Sequence, residues 1–313
     1  MGFYESLKSD LDDMLEWKEA LGYNRRTYIP YTKEFIEFCG EHYSDQSSIS
    51  REMVEEWISS YTFNSPNTRV RALINLRTFT SYLEAVGRNT YVVDDEFSIS
   101  SVPYIPVIMN DEELGQFFRG VDTTTKSSNL PMKGYILPVL FRMILCCGLR
   151  PAEPLKLRVE DVDLRKGDIY IRQTKRRTDR HIIMSDDMLD LCIKYNSIAG
   201  NREWFFQRPD GTPFNTKWLG HQFEQCYRNS KLDLPKPPNT YGLRHCFATY
   251  TMARWLDEGK NIMVLIPYLC AYMGHTDIKH TLYYVHLLPE RLRSSPGVDW
   301  DALDEVYEED TAC

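Results

Sequence analysis

The chain has 313 residues, 42% hydrophobic and 26% charged, enough for two domains with cores of their own. No run of about 18 apolar residues occurs, and the opening MGFYESLKSDLDDML is acidic and lacks an apolar signal region, so neither a membrane span nor a secretory leader is expected. Eight scattered cysteines without a C-x-x-C pair, and histidines without an H-E-x-x-H pattern, point to reduced cytoplasmic thiols and to no metal site.

The net charge of −8 departs from the basic signature of nucleic-acid-binding proteins, but it is unevenly spread. Residues 1–103 carry 10 basic and 17 acidic side chains, residues 104–286 carry 25 and 20, and residues 287–313 carry 2 and 8. The middle of the chain is net positive, which leaves room there for a cleft that meets phosphate.

The first ninety residues read as four or five helices. Leu7, Leu11, Met14, Leu15 and Leu21 form a stripe ended by Gly22, and Tyr31, Phe35, Phe38 and Cys39 form another behind Pro30. Ser50 caps a third helix, with Met53, Val54, Trp57, Ile58 and Tyr61 on one face. The fourth starts at Ser65-Pro66 and uses Val70, Leu73, Ile74, Phe79, Tyr82 and Leu83 before Gly87. Arg69, Arg71 and Arg77 on this helix read either as its solvated face or as a DNA contact. From Tyr91 to Pro106 the helical period stops, and two prolines with several serines predict an extended linker.

Beyond it, NDEELGQFFRGV predicts a capped helix from Asn110, and Gly134 to Cys147 predicts an apolar one. GLRPAEPLKL follows, where a helix start tolerates Pro151 and Pro154, and Glu153 can share a face with Arg150 and orient it. In GDIYIRQTKRRTDRHIIMS, Ile169, Ile171 and Gln173 alternate, as do Ile182 and Met184, about a polar turn at Arg177 to Asp179. This predicts a β-hairpin with Lys175 beside its tip and Arg176, Arg177 and Arg180 around it. Two further helices are expected between residues 186 and 239.

The segment from Thr240 to His286 carries the chemistry. TYGLRHCFATY places Arg244 in the first turn of a helix stopped by Gly259, and a nearly all-apolar helix runs from about Asn261 to Met273 through Pro267. Gly274 breaks it, which leaves His275 in a tight turn, and Thr276 or Asp277 caps a short helix towards Thr281. His275 and Tyr284 are about 2.5 turns apart at roughly 3.6 residues per turn, so they converge only if the chain bends between them. Between Arg244 and Tyr284 the segment offers a guanidinium, the His275 imidazole and a phenol, which together suit phosphoryl transfer on a phosphodiester.

The order of Arg150, Lys175, a box ending in Arg244, Gly274-His275 and Tyr284 resembles the tyrosine recombinases, or phage integrase family, over roughly Leu11 to Leu292. The resemblance implies a mainly α fold. It comprises a helical SAM-like core-binding domain (1–90), a linker (91–106), a mostly α catalytic domain of α+β type with a small antiparallel sheet (107–290), and an acidic tail (291–313). It implies a site-specific recombinase or integrase that forms a 3′-phosphotyrosyl intermediate on Tyr284 without metal, ATP or cofactor and serves a mobile element. Resolution of dimers or hairpin ends, and a noncatalytic DNA-binding member, stand as alternatives.

The same resemblance casts Arg150 and Arg244 as phosphate clamps, Lys175 as the acid for the leaving 5′ hydroxyl and His275 as a hydrogen-bond donor to phosphate. Arg69, Arg71, Arg77, Arg176, Arg177 and Arg180 become DNA contacts. The partners implied are double-stranded DNA with inverted-repeat core sites, three further copies in a homotetramer, and an accessory directionality factor, in a cytoplasmic, nucleoid-associated setting. One position departs from the pattern: Tyr241 stands where the family usually has His, and is expected to support the transition state rather than to shuttle a proton. His245 is read as structural.

Overall fold

The computed structural model describes residues 2–97, 105–124, 130–172 and 179–288. The chain divides into two compact units, Met1–Tyr104 and Ile105–Cys313.

The first unit is built from α1 (Phe3–Ala20), α2 (Ile29–His42), α3 (Arg51–Ser60) and α4 (Pro66–Ala85). Its helix starts are those the caps foretell. Ser50 Oγ accepts from Met53 N at 3.3 Å, and Ser65 Oγ accepts from Thr68 N at 3.1 Å with Pro66 in the first turn. Leu7, Leu11, Met14, Leu15, Phe35, Trp57, Leu76, Phe79 and Leu83 fill one core. Two residues of the expected stripes are exposed: Leu21 follows the last turn of α1, and Ile74 falls out of phase on the long α4, where Leu76 takes the inward place.

The beginning of the expected linker belongs to this unit. Tyr91 N donates to Ile49 O at 2.9 Å, Val93 is fully buried, and a short 3₁₀ turn covers Asp95–Phe97. Arg77 holds it down, with Nε donating to Val93 O at 2.9 Å and Nη2 to Asp94 O at 2.7 Å. The Arg77 guanidinium therefore serves the fold, where a DNA contact was expected.

In the second unit Asn110 caps α5 (Asp111–Asp122) in a reciprocal box with Glu113. The unit continues with α6 (Lys133–Cys147), β1 (Val162–Asp163), β2 (Asp168–Ile171), β3 (Arg180–Ile183), α7 (Asp186–Ala199), α8 (Thr216–Ser230), α9 (Thr240–Asp257), α10 (Ile262–Met273) and α11 (Lys279–Leu282). A 3₁₀ turn, Tyr283–Leu287, follows directly. The strands form an antiparallel sheet in the order β1-β2-β3, with Ile169 opposite Val162 on one side and Ile182 on the other. The paired strands β2 and β3 fall where the alternation foretells; β1 was not foreseen.

Phe117, Phe141 and Phe223 join α5, α6 and α8 through an aromatic cluster, and α5 approaches α8 so closely that a Cβ on Gly120 would lie 2.6 Å from backbone atoms of Cys226 and Ser230. Where a helix start was expected after Arg150, the chain instead makes a turn and a short 3₁₀ helix, Pro154–Lys156. Two prolines in four residues remove the N–H donors an α-helix would use there. The α10 helix runs unbroken through Pro267. Residues 289–313, with the acidic tail and its apolar positions, lie outside the described residues, as do Gln173, Lys175, Arg176 and Arg177 near the hairpin tip.

Candidate active site

The C-terminal end of α10 organises the site. Its last carbonyls have no partner within the helix and carry the negative end of the helix dipole. Three successive ones each take a different arginine: Tyr272 O accepts from Arg180 Nε at 2.9 Å, Met273 O from Arg244 Nη2 at 2.8 Å, and Gly274 O from Arg150 Nη2. Gly274 sits at φ +66°, closing the helix with His275 N donating back to Cys270 O at 2.9 Å. Gly148 ends α6 in the same left-handed way, at φ +60°, and its carbonyl accepts from Arg244 Nη1 at 2.6 Å.

Glu153 ties the arginines together. Its carboxylate accepts from Arg150 N at 2.8 Å and Arg150 Nη1 at 2.9 Å, and from Arg180 Nη1 and Nη2 at 2.9 and 2.7 Å. Burial pushes the Glu153 carboxyl up, but the hydrogen bonds and charge of Arg180 and the Arg150 N–H outweigh it and hold the group below its ordinary range. The Arg180 side chain is only 8% exposed. It is thus a buried partner of Glu153 rather than the surface phosphate contact the sequence suggested. Three guanidiniums against one carboxylate leave an excess of positive charge, and further N–H groups of Arg150 and Arg244 are not used in these bonds.

Arg244 Nη2 also donates to His275 Nε2 at 2.8 Å, so that nitrogen is an acceptor and the ring hydrogen lies on Nδ1, which meets buried Thr281 Oγ1 at 2.7 Å. Burial, with Arg244 and Arg150 nearby, pushes His275 down to about 3, so the ring is neutral around pH 7. Burial likewise lowers Arg244 to about 10, with the guanidinium still charged.

The bend that the sequence required lies at Thr276 and Asp277, between His275 and the start of α11, with Tyr284 in the 3₁₀ turn beyond. It brings the Tyr284 ring over His275, with centroids 6.2 Å apart and planes within 18°. Tyr284 is 3% exposed; burial raises its hydroxyl above its ordinary range, while the charge and hydrogen bond of Arg244 pull the other way. Its hydroxyl lies 3.1 Å from His245 Nδ1, a contact the sequence did not disclose. Tyr241, in the first turn of α9, is 48% exposed, with its ring 6.3 Å from that of His245. Arg69 and Arg71 lie on α4 of the first unit, Arg71 exposed and Arg69 half-buried. The structure thus assembles Arg150, Glu153, Arg180, Arg244, His275 and Tyr284, with Tyr241 at the margin.

The chain resembles known proteins over most of its length. The profile of the phage integrase family matches residues 109–291. A Sinorhizobium fredii relative designated y4rE, whose name gives it as a candidate integrase/recombinase, is 25% identical over 294 residues, 90% of this chain and 92% of its own. Tyrosine recombinase XerA of Saccharolobus solfataricus is 25% identical over 279 residues, covering 86% of this chain and 84% of that one. The fold is shared with XerH site-specific recombinase in a post-cleavage complex with its palindromic difH substrate, at TM-score 0.67 and 22% identity over 87% of this chain and 78% of XerH.

The chain belongs to the phage integrase family, whose members here bear the name tyrosine recombinase. Among the described residues no helix is long and apolar enough to cross a membrane.

Proposed function

We propose that this chain is a site-specific DNA recombinase that cuts and rejoins strands through a 3′-phosphotyrosyl link on Tyr284 and so moves a mobile element. The observation that carries this reading is the convergence of Arg244, His275 and Tyr284, with Arg150 held beside them by the carbonyl next to the one that holds Arg244. Attack by the Tyr284 oxygen on phosphorus places negative charge on the nonbridging oxygens, and Arg150 and Arg244 are preorganised to take it. The phosphotyrosine conserves the energy of the broken bond, so the strand is rejoined without an outside energy source.

In the described arrangement Arg244 donates to His275 Nε2. A phosphate oxygen drawing that guanidinium away lets His275 carry its hydrogen on Nε2 and donate to the same phosphate. Lys175 is assigned to protonate the leaving 5′ oxygen, with Arg176 and Arg177 beside it on the backbone of the DNA, and Tyr241 donates a hydrogen bond to the phosphate from the rim. Of the adjacent tyrosines, Tyr284 is the one whose hydroxyl meets His245 and Arg244.

The substrate is double-stranded DNA with inverted-repeat core sites, bound by a homotetramer, with residues 1–90 as the core-binding domain, 107–290 as the catalytic domain and 291–313 as a tail. This rests on likeness: the same fold occurs in a lambda integrase dimer bound to a core site, at TM-score 0.65 and 14% identity, and in a lambda integrase tetramer bound to a Holliday junction, at TM-score 0.59 and 16% identity. A directionality factor and residence at the nucleoid follow from the same reading.

The test is covalent capture. Incubation with nicked suicide duplexes from DNA flanking the gene should yield an SDS-resistant protein–DNA band that Tyr284→Phe abolishes while still binding the duplex. A band that persists in Tyr284→Phe moves the nucleophile elsewhere.

A further inference from the structure

Nothing in the sequence pattern gives His245 a part in the chemistry, yet its Nδ1 lies 3.1 Å from the Tyr284 hydroxyl, with ring centroids 5.5 Å apart. The other imidazole beside the Tyr284 ring, His275, has both nitrogens engaged, Nε2 by Arg244 and Nδ1 by Thr281. Among the described side chains, His245 is therefore the imidazole that directs a nitrogen at the nucleophile. The head of the arginine box is here Tyr241, a phenol where an imidazole would be the better proton acceptor, and it lies exposed at the margin of the site.

On the reading that Tyr284 is the nucleophile, we infer that His245 is the general base that takes its proton. As the Tyr284 oxygen bonds to phosphorus, its hydrogen passes to His245 Nδ1, the ring carrying its other hydrogen on Nε2. The electron pair of the breaking phosphorus–oxygen bond leaves with the 5′ oxygen, which takes a proton from Lys175. On rejoining, the movements reverse: the attacking 5′ hydroxyl returns its proton to Lys175, and imidazolium at His245 protonates the departing tyrosine oxygen.

The surroundings suit a base that works only when DNA is seated. Facing His245 are Arg244 and Tyr241 from α9 itself and Tyr284 from the turn packed against it. Burial and the Arg244 charge push His245 down to about 4, so it is neutral and able to accept. The Arg244 charge that opposes imidazolium is the charge a bound phosphate offsets, so seating the substrate strengthens the base.

Full-length His245→Asn tests this, because an amide at the place of Nδ1 keeps a hydrogen bond to Tyr284 but cannot carry the proton. The readouts are single-turnover formation of the covalent band between about pH 6 and 9, and affinity for the same duplex by gel shift. General-base assistance is commonly worth about 10²–10⁴-fold. We expect cleavage slowed by about a hundredfold or more, affinity within about twofold of wild type, and a residual rate that climbs with pH as solvent ionises the phenol. Added imidazole should restore part of the rate to His245→Gly.

A wild-type rate and pH profile in His245→Asn overturns the inference. So does a slowing equal at all pH values, unrescued by imidazole in His245→Gly and accompanied by lost affinity or a lowered melting temperature, which marks a structural role. Tyr284→Phe run alongside separates the two claims. A surviving band there defeats the nucleophile reading, whereas a band lost there but formed at full rate by His245→Asn defeats only the base.

Discussion

Glu153 and Arg180 show how the charge of the site is arranged at the scale of single residues. On the proposed function Arg150 points at a phosphate, and a flexible guanidinium does so reliably only if something fixes it. Glu153 does this with its carboxylate, and Arg180 fixes Glu153 in turn from β3. Removing one partner of a buried, hydrogen-bonded ion pair commonly costs about 3–5 kcal/mol, and because Arg150 still faces Glu153 we expect Arg180→Ala to cost about 3 kcal/mol by urea denaturation. It should also slow covalent-complex formation at least about tenfold, and the double variant Arg180→Ala, Glu153→Gln should fall well short of the product of the two single effects. Independent, multiplying effects would show that Arg180 does not act through Glu153. The sequence could not reveal this pair. A basic residue near a hairpin tip reads as a surface charge, and only the fold brings the end of α10 and the turn carrying Glu153 to it.

At the scale of elements, the two left-handed glycines convert helix ends into arginine clamps. Gly148 is the stricter, because a Cβ there would lie 2.3 Å from the Phe247 ring, and its positive φ strains any side chain. We expect Gly148→Ala to lower stability by roughly 1–3 kcal/mol, the usual scale for a strained backbone, and to reduce cleavage by displacing the carbonyl that holds Arg244. Unchanged melting and cleavage would show that the α6 end has slack.

These helices were the most legible part of the chain. Caps at Ser50, Ser65 and Asn110 and stops at Gly259 and Gly274 gave their limits, since capping is chemistry local to a few residues. β1, only Val162 and Asp163, has no period of its own and exists because β2 lies beside it. His245 was equally hidden: its neighbour in sequence is Arg244, but its partner is 39 residues away across a bend.

At the scale of the molecule, the described core residues of the first unit run from Phe3 to Val93 and those of the second from Met109 to Leu288. Residues 1–104 expressed alone should therefore be helical by circular dichroism and unfold cooperatively in urea; a broad, gradual loss of signal would show that the unit depends on the rest of the chain. The second unit should differ in its response to acid. It holds His245 at about 4 and His275 at about 3, both below the ordinary 6.5. Between those values the unfolded chain binds protons that the folded unit refuses, so this stability is present above about pH 6.5 and is lost as pH falls through the folded values. Glu153, depressed below its ordinary 4.5, acts with the same sign lower down. Amide hydrogen exchange in α9 and in the turn carrying Tyr284 reads this directly. Protection there should weaken steadily from about pH 7 to pH 4 once the intrinsic exchange rate is divided out, and less steeply in His245→Asn, His275→Gln. Protection that stays level over that range would mean the two imidazoles take up protons in the folded state, and with them the neutral His245 that could receive a proton from Tyr284 would be gone at acid pH.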